Sequence, residues 1–250
     1  MQPLDPALVA LATATCVAYA WLGICYASTM MLVATLAGYS LRHCLASILL
    51  AQVATALATS VARLSEVKRV ERVGVASSGV VMGLSALASL LAAALLGTKL
   101  SDSTRLLANA AILIVTAAIN AVTPSTRSSA NPKQAAFIGI LAGFVKGALG
   151  GGSTGVLLAG QRLLGVNFDR ATHATLIAHL AMCLAALGPY TATQGIDLHT
   201  FTSLTIGSLI GCAIGQAIPR TTNTKQRIAA STATTIAIAT LMTLKALTTT

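Results

Sequence analysis

The sequence predicts an all-α, polytopic membrane protein, and three observations carry that prediction. Hydrophobic residues fill 55% of 250 positions and charged residues only 9%, whereas soluble domains carry roughly 25% charged residues. Apolar runs recur at the length a membrane helix needs, about 20 residues at 1.5 Å each. The six acids (Asp5, Glu66, Glu71, Asp102, Asp169 and Asp197) all stand at the edges of those runs.

Taken in order, residues 7–41 contain no formal charge. That is too long for one straight crossing, so the region is expected to divide, near Ser28 and Thr29. Spans follow at 43–62, 73–97 and 105–122. The most polar stretch, 123–133, holds two prolines with several serines and threonines and reads as a linker between membrane units at 1–122 and 134–250. The second unit repeats the rhythm, with a long apolar region at 134–165, then spans at 170–189, 199–218 and 228–247. Pro189 and Pro219 are expected at helix ends, where a missing N–H does least harm.

Loop charge sets orientation. Residues 63–72 hold four Lys/Arg, 219–227 hold three and 190–198 none, so the first two loops are expected in the cytoplasm and the third outside. Lys99 and Arg105 then lie outside, against the trend. Region 134–165 starts and ends on the cytoplasmic side and region 7–41 on the outer side, as two crossings or a re-entrant dip. The units are therefore expected to be inverted repeats, each a broken or re-entrant element followed by three spanning helices. Ser28-Thr29 echoes Ser153-Thr154, and Arg42…Ala46-Ser47 echoes Arg170…Ala174-Thr175. Inverted repeats with interrupted helices are a recurring transporter plan.

The chemistry concentrates at Gly143 to Gly165, GFVKGALGGGSTGVLLAGQRLLG. A backbone break inside hydrocarbon must be buried in protein or line a polar cavity. Gly150, Gly151, Gly152, Ser153 and Thr154 are positioned to present backbone N–H groups and a helix N-terminus, which favour an anion; the alternative is glycine serving only tight helix packing. Lys146 lies far from the ends of its apolar run with no carboxylate in the region, so its partner is either a bound anion or, by snorkelling, the membrane surface. His179, ten residues into its span, is a donor or titrating group or else a structural histidine; its counterpart in the first unit is Ala51 or Gln52. His173 is expected near the same cavity. Arg42 and Arg170 open corresponding helices and serve as mouth or coupling residues, or simply as interfacial anchors.

Several classes are excluded or disfavoured. The basic residues are scattered through short loops, which argues against nucleic acid despite a formal charge of +10. No Lys-Ser/Thr pair follows the glycines, so there is no Walker A loop. No nucleophile–base–acid arrangement appears, and the pair His179 and Cys183 is too small a ligand set for a metal. Neither a cofactor nor an enzymatic role is expected. The five cysteines do not suggest a disulfide framework.

The run GFVKGALGGGSTGVLLAGQRLLGVNFDRATHATLIAHL, with the segment from Gly195 to Pro219, resembles the TauE/SafE family of sulfite and organosulfonate exporter-like permeases. Lys146 stands where a small residue is usual in that family and Ala159 where proline is common. The resemblance implies a duplicated membrane bundle that carries small sulfur-containing or carboxylate anions, often outward. The expected function is a secondary transporter, an exporter of sulfite or of organosulfonates such as sulfoacetate, working by alternating access. Its substrate-binding set is Lys146, Gly150, Gly151, Gly152, Ser153, Thr154, Ser28, Thr29, Gln52 and His179. An anion channel of the same architecture and a non-transporting scaffold subunit are the alternatives. Its expected partners are the lipid bilayer of the cell membrane and the anion, and homo-oligomerisation is compatible with the sequence.

Overall fold

The computed structural model describes residues 4–66, 69–124, 131–218 and 223–248, with side chains for all of these except 63–66 and 69–73. Among the described residues there are ten α-helices and no strand. They are α1 (Pro6–Leu22), α2 (Tyr26–Leu36), α3 (Leu41–Glu66), α4 (Arg69–Gly97), α5 (Asp102–Val122), α6 (Pro132–Leu149), α7 (Ser153–Leu163), α8 (Phe168–Gln194), α9 (Leu198–Ala217) and α10 (Thr224–Thr248). Six of them, α3, α4, α5, α8, α9 and α10, are long and apolar enough to cross a membrane. Large apolar side chains such as Leu84, Leu95, Phe137, Phe144 and Leu244 are exposed on the outside of the bundle, where acyl chains would cover them.

Local signals set the ends. The Asp5 carboxylate accepts the Ala7 and Leu8 N–H groups and Pro6 opens α1, a proline tolerated where its N–H would be orphaned anyway. Asn131 and Gln134 form a capping box on α6. Thr123 ends α5 and Pro132 opens α6, while 125–130 of the expected linker lie outside the described residues.

The four shorter helices form two pairs that double back. At about 25 Å for α1 and 16 Å for α2, neither partner spans a hydrocarbon core of about 30 Å. The Tyr39 hydroxyl, after α2, donates to the Asp5 carboxylate, before α1, at 2.6 Å. In the second pair, Gly160 of α7 lies against Ile138 of α6. The pairs enter from opposite ends of the bundle. The first starts beside the openings of α3 and α9, through Asp5 to Ser203 and Ser47 to Asp197. The second starts beside the end of α5, where Arg162 bonds the Thr123 carbonyl.

Packing runs across the two halves of the chain more than within them. α6 lies along α4 and α1 along α9, while α3 meets both α8 and α9, α8 meets α4, and α5 meets α10. Gly139, Gly143 and Gly147 of α6 leave no room for a Cβ against the α4 backbone, and Gly207 and Gly211 do the same against α1. Small residues at four-residue spacing let helices approach closely in lipid.

Two expectations are corrected. The first break falls at Gly23–Cys25, before Ser28 and Thr29, which lie inside α2. Gly23 adopts φ +75°, a left-handed cap that glycine takes at no steric cost. Pro189 sits inside α8, not at its end. Arg105, in the first turn of α5, is buried and donates to the Gly97 carbonyl at 2.6 Å and to the Tyr190 hydroxyl at 3.3 Å. Pro219 and the side chains of the basic loop 63–72 lie outside the described residues.

The Tyr39 bond holds the Asp5 carboxyl below its ordinary value of 3.8, and the same bond pushes the Tyr39 phenol up to about 12. A depressed acid stabilises the fold above its ordinary pKa and loses that contribution as pH falls. A raised phenol stabilises below its ordinary value of 10 and loses the contribution as pH climbs through about 12. Tyr39→Phe is therefore expected to lower the melting temperature slightly at neutral pH, with the difference shrinking below pH 3.8 and above pH 10. A pH series of thermal melts in detergent checks this.

Candidate functional site

The site is built where the two hairpins turn. Gly150, at φ +76°, caps α6 and donates its N–H to the Lys146 carbonyl at 2.9 Å. Gly152, also at φ +76°, begins α7 without a side-chain cap, and its N–H donates to the Ser28 hydroxyl of α2 at 2.9 Å. Ser28 in turn lies 3.2 Å from Asn109 Oδ1 on α5. The second break thus touches the first turn of α2, just past the first break. A Cβ on Gly151 would sit 2.8 Å from both Asn109 Oδ1 and Ser28 Oγ.

Both short helices begin uncapped. The N–H groups of Ser153, Thr154 and Gly155, and of Tyr26, Ala27 and Ser28, find no acceptor among the described residues. Orphan donors at a helix start are ordinarily satisfied by caps, water or a ligand.

Beside them runs a buried polar chain. Lys146 is 0% exposed, and its ammonium donates to Gln52 Oε1 on α3 at 2.6 Å. An ammonium has no acceptor capacity, so Gln52 must turn its oxygen to the lysine and its amide N–H to His179 Nε2, 2.7 Å away. That ring nitrogen therefore accepts, and the imidazole is the neutral form carrying its proton on Nδ1. The proton points at Thr154 Oγ1 (3.3 Å) and Ser153 Oγ (3.5 Å). Cys183 Sγ lies 3.4 Å from the same Nε2. No carboxylate joins this cluster, since the described acids sit at helix ends (Asp169, for instance, pairs with Arg227 at 3.0 Å).

Of the residues singled out by sequence, Lys146, Gly150, Gly151, Gly152, Ser153, Thr154, Ser28, Gln52 and His179 come together. Four do not. The Thr29 hydroxyl is satisfied by its own helix, at the Cys25 carbonyl. His173 Nδ1 donates to the Asp169 carbonyl; six residues before His179, it points about 120° away around a helix of 3.6 residues per turn. Arg42 is exposed at one end of the bundle and Arg170 half-buried at the other. Sequence reasoning missed Asn109 and Arg105. A polar pair four residues apart inside an apolar run was the available signal.

Residues 7–243 match the family model described as Sulfite exporter TauE/SafE. The chain belongs to that family. No match is found among curated proteins or among solved structures. The TauE/SafE match runs through both halves, beyond the second-half segments that carry the resemblance in the sequence. The family is one of membrane transporters of sulfur-containing anions, and the six long apolar helices agree with a multi-pass membrane protein. Among the described residues the cluster brings together one cation, oriented N–H groups and hydroxyls.

Gly152→Ala is expected to destabilise the protein by about 1–3 kcal/mol, the cost of a left-handed non-glycine residue. Gly188→Ala, at an open position of ordinary φ, is expected to leave the melting temperature unchanged. Paired thermal melts read both.

Proposed function

We propose that this protein is a secondary transporter of the cell membrane that exports sulfite or organosulfonates such as sulfoacetate by alternating access, with the anion held where the two helix breaks meet. The single observation that carries the reading is Lys146, a fully buried ammonium whose partners among the described residues, the Gln52 amide and the Cys183 thiol, are uncharged groups rather than carboxylates. An unneutralised buried ion costs several kcal/mol, and a hydrogen bond to a charged group returns only about 1.5–3. An oxyanion beside Ser153, Thr154 and the orphan N–H groups would supply the missing negative charge.

Binding asks for a small exchange. The Gly152–Ser28 and Lys146–Gln52 bonds occupy the donors that an anion needs, so its oxygens replace Ser28 and Gln52 as acceptors. That packed contact between the breaks favours a carrier over an open channel.

An inverted repeat supports alternating access. Gly150 follows Gly23, and Gly165 follows Gly38, by the same 127 residues, and all four adopt left-handed φ. His179 follows Gln52 by the same interval, and the two bond each other. The packing of α1 on α9 mirrors that of α6 on α4. Because the halves interleave, the moving bodies would be groups such as α1 with α9 and α4 with α6 rather than the sequence halves. The proposed orientation puts the ends of α5 and α7 in the cytoplasm.

In reconstituted vesicles, Lys146→Gln is expected to cut sulfite or sulfoacetate transport at least tenfold, the loss of about one charge-assisted hydrogen bond. Gln52→Glu gives the lysine an internal counter-ion, so thermal stability should hold or rise while anion affinity falls. Transport unaltered by Lys146→Gln would remove the proposed site.

A further inference from the structure

A second anion site follows from a cavity the transport site does not use. About 790 Å³ lies between the end of α5, the end of α7 and the first turns of α10. Its lining combines apolar Ile228 and Ile236 with Asn120, Thr232, Arg162 and Lys225, and no acidic side chain is among the lining residues. Arg162 is 1% exposed and donates to the Thr123 and Val166 carbonyls, so its charge is held in place at the cavity wall. The buried oxygens Asn120 Oδ1 and Thr232 Oγ1 have no partner among the described residues. Two cations, the unpartnered Thr232 hydroxyl as a donor and no acidic side chain in the lining make a cavity complementary to an anion, while the Asn120 oxygen, an acceptor, would take a donor such as water.

A polar face of α5 runs from the cavity toward the break. Asn109, Thr116 and Asn120 fall on one face of α5 at intervals of seven and four residues. Asn109 touches Ser28 at the site, the Thr116 hydroxyl lies against Gly155 in the first turn of α7, and Asn120 reaches the cavity. The stripe covers about 16 Å of helix. A polar stripe on an otherwise apolar spanning helix marks a route for a polar solute.

We infer that the α5–α7–α10 cavity is an antechamber for the transported oxyanion, where Arg162 and Lys225 gather it and the Asn120–Thr116–Asn109 stripe hands it to the break. This rests on the transport reading above. Lys225 is exposed and sets the capture radius, Arg162 is the fixed inner charge, and Thr232 and the Asn120 amide donate to the anion at rest.

The test places a cysteine in the cavity, Thr232→Cys, with Ala233→Cys as a second position should the first fold poorly. Each variant is reconstituted in phosphatidylcholine vesicles, and its labelling by N-ethylmaleimide is compared with the parent protein, whose five cysteines are buried. Saturating sulfoacetate is expected to slow labelling at least threefold. The protection should persist in a Lys146→Gln background, where transport is lost, and weaken several-fold with Lys225→Gln, which also raises the KM for transport. Unchanged labelling in vesicles that do transport sulfoacetate overturns the antechamber and leaves the transport reading standing. Protection without transport of any anion overturns the transport reading, and the antechamber with it, and leaves an anion-binding cavity alone. Protection that vanishes with Lys146→Gln reports closure around the central site only, and protection conferred by phosphatidylglycerol but not by sulfoacetate makes the cavity a lipid headgroup site; both outcomes overturn the proposal.

Discussion

A buried ammonium with no carboxylate beside it is the constraint on which the rest of this structure turns. Lys146 is held by Gln52, which is held by His179, which faces Ser153 and Thr154. The chain of contacts joins α6, α3, α8 and α7, and so ties together both halves of the protein. Because the lysine can only donate, every partner further along has its donor and acceptor roles dictated. Gln52 has one orientation and His179 one tautomer. Such a network is unforgiving: within a low dielectric an unsatisfied member costs more than a satisfied one contributes.

The second requirement is that helices stop inside a membrane without exposing their backbone to lipid. Two glycines in left-handed conformation, Gly150 and Gly152, turn the chain within three residues, and the freed Gly152 N–H finds the Ser28 hydroxyl from the opposite hairpin. The hairpins themselves are fixed from outside the site, α6 by its glycine seam on α4 and α1 by the seam that α9 presents to it. These seams are apolar and close, whereas the contact between the breaks is a few hydrogen bonds. Motion that opens the site while sparing the seams is the less costly kind. An anion with its own acceptor oxygens can stand in for the few bonds that are lost.

The glycines had two competing readings, packing and binding, and the structure divides them by position. Gly139, Gly143 and Gly147 meet the α4 backbone, so they pack. Gly150, Gly151 and Gly152 interrupt the helix, two of them at left-handed φ. The same residue type in one short stretch therefore both packs helices and breaks one, and backbone conformation tells which. Arg105 is a comparable case: a charge at the start of an apolar run, it is buried against Tyr190 and the Gly97 carbonyl because α5 begins three residues before it.

The amino-acid sequence by itself determined the fold class, the break in the second half and the unusual standing of Lys146 and His179. Each of these is a local property: apolar run length, consecutive glycines, or a charge far from the end of an apolar run. Gly23 was equally visible but passed over, because a single glycine in an apolar run carries little signal until its left-handed φ and its 127-residue separation from Gly150 are seen. Only the tertiary structure decided that Gln52 bridges Lys146 to His179, that Asn109 stands behind Ser28, and that Thr29 and His173 turn away. Those outcomes depend on how helices from distant parts of the chain rotate against one another, and a rotation of one residue, about 100°, carries a side chain from the site to the lipid.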